Sequence, residues 1–209
     1  MDSASLRAPE PAASNVRYVL VLSLLSGMSF FPHAPIAKAG VDADDALGLC
    51  QVESLPKDVR GTLERRFYGW KAQDSTNLLP KARQKWAAVA PLACPGIAAG
   101  HYEDSRSVAY AMLLVPTDRG ANGYKFVVFS APAGQSFYGF KVLDQGVINA
   151  SALFIRTVPV DQVLDKDLKK RLRPKFSDGV SLALVDDKMP IQNVFFWTGQ
   201  SYEHAQVDF

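Results

Sequence analysis

The spacing of apolar β-type runs is the tightest constraint on how this chain can fold. From Ile97 onward, runs of β-branched and aromatic residues recur at Ile97–Tyr102, Val108–Val115, Tyr124–Ser130, Phe137–Leu143, Leu153–Val158, Val180–Val185, Val194–Thr198 and Tyr202–Val207. Turn residues punctuate them at Asp118-Arg119-Gly120-Ala121-Asn122-Gly123, at Pro132-Ala133-Gly134 and at Thr198-Gly199-Gln200. A parallel pair needs a crossover of about a dozen residues or more, and these connections are too short to hold one. Neighbouring strands are therefore expected to pair antiparallel.

Helical spacing is confined to two places. Near the start, Ser54-Leu55-Pro56-Lys57 reads as a helix start, with Ser54 or Leu55 at the cap and Pro56 in the first turn, where a missing N–H costs nothing. Val59, Leu63 and Phe67 then recur at four-residue spacing, Gly69 closes the helix, and a second short helix is expected from Lys81 to Ala90, with Trp86 and Val89 facing inward. Later, Val163, Leu164, Leu168 and Leu172 predict one helix between Val160 and Lys175 that Pro174 terminates. The fold class is α+β: a mainly antiparallel sheet with N-terminal helices and one helix inserted near 160–175.

The N-terminal stretch has the layout of an export signal. Arg17 precedes an uncharged apolar run, Tyr18 to Phe31; Pro32 and Pro35 break it, and Ala37-Lys38-Ala39 supplies small side chains at the two positions signal peptidase reads. Residues 1–39 are expected to be a signal peptide and 40–209 a single domain. The apolar run is too short to span a bilayer of roughly 30 Å, and no Cys follows Leu25-Ser26-Gly27 for lipid attachment, so no integral membrane anchor is expected in the mature chain. The expected location is periplasmic or secreted. Both cysteines, Cys50 and Cys94, lie beyond the leader, and an even count in an exported chain predicts a disulfide.

Charge excludes one large class of partners. The chain of 209 residues carries 23 Lys and Arg against 21 Asp and Glu, a formal net charge of +2, far from the footprint of a nucleic-acid binder. The main local excess, Lys169-Lys170-Arg171-Leu172-Arg173-Pro174-Lys175, falls on the inserted helix with Asp165 and Asp167 nearby and reads as a solvated helix face, with an acidic partner or an anionic envelope surface as the other reading. No glycine-rich phosphate cradle or dinucleotide fingerprint is present, and no cofactor is expected. The tryptophans Trp70, Trp86 and Trp197, with Phe126, Phe129, Phe195 and Phe196, fall in the expected elements or at their ends and read as packing residues.

Between the strands at 97 and 108 lies the densest polar cluster, His101-Tyr102-Glu103-Asp104-Ser105-Arg106-Ser107. Together with Cys94-Pro95-Gly96, the following Tyr110-Ala111-Met112-Leu113-Leu114, the upstream Leu55-Pro56 and Phe67-Tyr68-Gly69-Trp70, and Trp197-Thr198-Gly199, it resembles a loose group of exported bacterial proteins of largely unassigned function. Some related proteins bind calcium in the corresponding turn or inhibit cell-wall-degrading enzymes. The resemblance implies a binding protein of inhibitor or immunity type that neutralises an envelope-active enzyme or toxin. This chain departs from a calcium loop, because Glu103, Asp104 and Ser105 stand beside Arg106 with no Gly at the bend, so no metal is expected. Instead the turn is expected to contact a protein partner through Tyr102, Glu103, Asp104 and Arg106.

Catalytic signatures are weak by comparison. Gly134-Gln135-Ser136-Phe137-Tyr138-Gly139 has one residue too many for a nucleophile elbow and precedes a strand. His101-Tyr102-Glu103 lacks the cysteine half of a zinc deaminase site, and Cys94 can act as a nucleophile only if it is not in a disulfide. The alternatives to a binding protein are an envelope hydrolase using His101 with Glu103 or Asp104 as an acid/base pair, and a structural component of an envelope complex.

Overall fold

The computed structural model describes residues 50–118, 120–131, 135, 137–185 and 190–207. The expected leader, the acidic lead at Asp42, Asp44 and Asp45, and the centre of the Pro132–Ser136 turn lie outside the described residues. Two helices open the described chain, α1 (Lys57–Arg66) and α2 (Pro80–Val89), with the short strand β1 (Trp70–Ala72) between them. Then come β2 (Ile97–Gly100), β3 (Ala109–Pro116), β4 (Tyr124–Ser130), β5 (Gly139–Gly146) and β6 (Leu153–Pro159). The chain continues through α3 (Val160–Val163), α4 (Lys166–Leu172), β7 (Asp178–Leu184), β8 (Ile191–Trp197) and β9 (Tyr202–Val207).

All named strand pairs are antiparallel, as short connections require for β2–β3, β3–β4, β4–β5, β7–β8 and β8–β9, and they form two sheets. In the first, β3 pairs with β4 and β4 with β5. Along the other edge of β3, β1 and β2 lie end to end, Ala72 opposite Leu114 and Ile97 opposite Met112. The second sheet is the meander β6-β7-β8-β9. Strand alternation sends one set of side chains from each sheet to a shared core: Ala111, Leu113, Phe126 and Val128 from the first meet Leu153, Ile155, Leu182 and Phe195 from the second. The outward sets are covered by helices. Val59, Leu63 and Phe67 of α1 and its end pack on Met112, Leu114, Val127 and Phe129, whereas Trp86 of α2 packs with Phe154 and Ala183. Val160, Leu164, Leu168 and Leu172 cover Val158, Val194 and Phe196. The result is a helix–sheet–sheet–helix stack.

Three expectations are corrected in detail. The single helix expected over 160–175 is two helices, because Leu164 is extended and buried, and Asp165 starts a new helix by accepting the Leu168 N–H at 2.7 Å. Ser54 belongs to a preceding 3-10 turn and donates its hydroxyl to Gln51 O at 2.7 Å, so Pro56 occupies the cap of α1. Gly69 lies beyond the end of α1, in the turn to β1, where φ is +80°. The three-residue β1 has no alternation long enough to read and is fixed by its partner β3.

Cys50 and Cys94 form a disulfide with Cα atoms 5.0 Å apart. It fastens the start of the helical segment to the entry of β2, where Cys94 bridges Ile97. Beside it, the wholly buried Gln73 joins the two sheets. Its backbone N–H donates to Leu113 O at 2.8 Å, and its amide donates to Ala150 O at 2.7 Å and Leu153 O at 3.2 Å. Pro95 O accepts the Ile155 N–H at 2.8 Å, which closes the β2 edge onto β6.

Candidate functional site

The polar turn after β2 does not stand free of the domain. Inward alternation from Ala98 through Gly100 continues to Tyr102, whose side chain is buried with 0% exposure. A Cβ at Gly100 would lie 2.6 Å from the Tyr102 ring, so only glycine lets the ring fold back over the strand. Thr157 Oγ1 donates to Ala99 O at 2.8 Å and therefore accepts the Tyr102 hydroxyl at 2.7 Å. Burial pushes the phenol pKa well above its usual value, and the nearby Asp178 charge adds to the rise. Tyr102 is thus a core residue, and the expectation that it presents its side chain to a partner is corrected.

Glu103 turns toward the opposite sheet edge. Its carboxylate pairs with Lys141 Nζ of β5 at 2.7 Å, and the same ammonium lies 5.0 Å from the centre of the Trp197 ring. Tyr202 of β9 completes the group: burial raises its phenol pKa, and the adjacent Glu103 carboxylate raises it further. Both Glu103 Oε1 and the Tyr202 hydroxyl are buried without a partner at hydrogen-bonding geometry. Lys141, Trp197 and Tyr202 of this group also line a cleft of about 330 Å³ between β5 and β8–β9, together with Leu143, Phe195 and His204.

Asp104 organises the turn itself. Its Oδ1 accepts the Arg106 N–H at 3.0 Å and its Oδ2 the Ser107 hydroxyl at 3.3 Å, which leaves the Arg106 side chain in solvent. His101 is engaged by Asp178 instead: its backbone N–H donates to the Asp178 carboxylate at 2.9 Å, and its ring Nδ1 lies 3.7 Å from the same carboxylate. The acid/base pair proposed for a hydrolase is therefore not assembled, since Glu103 is committed to Lys141 and Asp104 to its own turn. The disulfide occupies the Cys94 thiol. Among the described residues, no three His, Cys, Asp or Glu side chains are grouped to hold a metal ion.

The feature that sequence reasoning did not single out is β5. One edge of this strand pairs with β4 and the other has no strand partner among the described residues. Phe140 is 39% exposed and Val142 46%, with Phe137 just before the strand 59% exposed. Phe140 meets Phe67 edge-on at 5.2 Å, which holds the ring in place while leaving part of it in solvent. A bulge between Phe126 and Val127 of β4 leaves Leu143 as the extra residue on β5, and Lys141, Val142 and Leu143 all line the cleft. The turn and the strand are one surface, joined by the Glu103–Lys141 pair, by the Tyr138 hydroxyl donating to Val108 O at 3.2 Å, and by the Tyr110–Tyr138 ring contact at 5.7 Å. The available signal was the run Phe137-Tyr138-Gly139-Phe140-Lys141-Val142, which is apolar at more positions than a strand with one buried face needs.

The fold and this surface define an α+β domain of two facing antiparallel sheets in which β5 has an apolar edge with no strand partner among the described residues. Comparisons with family models, curated proteins and solved structures give no match.

Proposed function

We propose that this chain is an exported protein-binding module of inhibitor or immunity type, which captures an envelope-active enzyme or toxin along the β5 edge and the adjoining Glu103–Arg106 turn. The observation that carries the reading is the edge of β5, which has no strand partner among the described residues and has Phe140 and Val142 partly exposed. Lys141 and the bulge are the edge's own protection, and beside them the unpaired N–H and C=O groups next to apolar side chains can template strand addition. A partner strand laid on β5 would gain main-chain hydrogen bonds, and the exposed phenylalanines and valine would supply contact area. Lys141, Glu103 and Arg106 would set its charge pattern. The Cys50–Cys94 disulfide supports an oxidising compartment and hence export.

The test is affinity capture from envelope extracts with wild-type protein and a Val142→Lys variant, followed by an activity assay on any enzyme recovered. Val142 is half in solvent, so the substitution should change stability by no more than about 0.5 kcal/mol. One stoichiometric protein bound by the wild type, inhibited by it, and lost with Val142→Lys is the expected result. Equal capture by both proteins overturns the assignment to β5.

A further inference from the structure

A second surface lies at the end of α4, where the chain returns to β7. From Leu172 to Phe176 the residues alternate: Leu172, Pro174 and Phe176 are half-buried, whereas Arg171, Arg173 and Lys175 are exposed. The three cations line one groove of about 660 Å³ with Thr198, Gly199 and Gln200 of the β8–β9 hairpin. Two anchors fix the groove. The Lys175 N–H donates to Trp197 O at 2.8 Å, and the Lys175 stem crosses Gly199, where a Cβ would lie 3.1 Å from Lys175 Cδ. Thr198 and Ser201 close the hairpin through mutual hydrogen bonds of 3.0 to 3.3 Å.

The cations of this groove form no ion pair among the described residues. Among the described residues, none of Arg171, Arg173 and Lys175 has a carboxylate within ion-pair distance, although Glu203 lines the same groove. Lys169, by contrast, is engaged by Asp161 at 3.1 Å. Arg173 also occupies a position that disfavours it. It is the C-cap of α4 with φ of 51°, and among the described residues it is the one non-glycine residue at positive φ. Glycine is the usual residue for such a left-handed helix end, and an arginine there carries a conformational cost.

We propose that this groove binds a phosphate oxyanion. A single carboxylate is satisfied by one guanidinium fork, whereas two guanidiniums and an ammonium around one groove match the several oxygens and the higher charge of a phosphoryl group. Phosphate chemistry has two sources in an exported setting, free phosphate and a phospholipid headgroup, and the same residues meet either.

The full chain is titrated with inorganic phosphate at constant ionic strength, with sodium chloride and sodium acetate as controls, by calorimetry and thermal melting. Phosphate should bind and raise the melting temperature where the controls do not. Arg173→Gly should melt at or above the wild type without phosphate, because glycine relieves the left-handed cap, and should bind phosphate about tenfold more weakly for the loss of a charge-assisted contact. Lys175→Ala should weaken binding with the helix cap intact. Sedimentation with phosphatidylglycerol vesicles but not phosphatidylcholine vesicles, lost in Arg173→Gly, assigns the headgroup; phosphate binding without sedimentation assigns free phosphate. Equal effects of phosphate and chloride, unchanged binding by Arg173→Gly, or tighter binding of a poly-glutamate peptide than of either phosphate source overturns the proposal.

Discussion

Adding one methyl group should have opposite effects at two glycines, and the difference tests how the sheets are joined. At Gly96 a Cβ would lie 2.2 Å from Gln73 O, 2.5 Å from Gln73 N and 2.8 Å from Gln73 Cα. All three are backbone atoms, so no side chain can swing aside. Making room requires the two segments to part by about 1 Å, toward an ordinary van der Waals separation. That movement would stretch the Gln73 N–H bond to Leu113 O and the Leu113 N–H bond to Gly96 O, now 2.8 and 2.9 Å, and would pull the buried Gln73 amide from Ala150 O and Leu153 O. Overpacking costs roughly 1–3 kcal/mol and each buried donor left unpaired about 1–3 kcal/mol, so Gly96→Ala should cost about 4 kcal/mol. For a domain of this size that is roughly 8–16 °C in melting temperature.

At Gly61, inside α1, the nearest atom to the added Cβ is the tip of Arg65 at 3.1 Å, which can move into solvent. There the substitution removes the helix penalty of glycine and should stabilise by about 1 kcal/mol, roughly 2–4 °C. Both variants are compared with wild type by circular dichroism melting with the disulfide intact. A Gly96→Ala protein that melts within about 2 °C of wild type would refute the account of the junction; a Gly61→Ala protein that melts lower would refute the account of α1.

Reduction of the Cys50–Cys94 bond, which spans 44 positions, should cost about 4 kcal/mol in the chain-entropy model, and a melting curve unaltered by dithiothreitol would contradict it. Alkaline stability carries a sign fixed by the buried phenols. The folded-state pKa values of Tyr102, Tyr124 and Tyr202 are all raised by burial, so the stabilisation is complete below the unfolded value near pH 10. It is lost above that, as the unfolded chain releases protons that the folded chain retains. Removing the fully buried phenol of Tyr102, by Tyr102→Phe, should flatten the decline above pH 10 by about 1.4 kcal/mol per pH unit in denaturant titrations, and a slope parallel to wild type would count against it.

Much of the fold was legible because strand pairing here is local. The runs at Tyr124–Ser130 and Tyr202–Val207 coincide with β4 and β9, and short turns force their neighbours antiparallel. The helix at 160–175 was misread for an equally physical reason. Leu164 fits the helical stripe and also fits a buried extended link, and Asp165 serves a helix interior poorly but a cap well. Periodicity alone could not choose between them. Tyr102 was legible in principle, since Ala98, Gly100 and Tyr102 follow one alternation past the end of β2; the polar neighbours at 101 and 103–107 drew the reading toward an exposed loop.

The sequence by itself determined the α+β class, the antiparallel pairing and the one possible disulfide partner, because these follow from period, turn length and cysteine count. Only the tertiary structure decided that the strands divide into two facing sheets, that Glu103 pairs with Lys141, a residue of the cleft, and that β5 is an edge among the described residues. Those outcomes depend on contacts between residues 38 and 99 positions apart in the chain, Glu103 with Lys141 and with Tyr202, whose free energy no local pattern encodes.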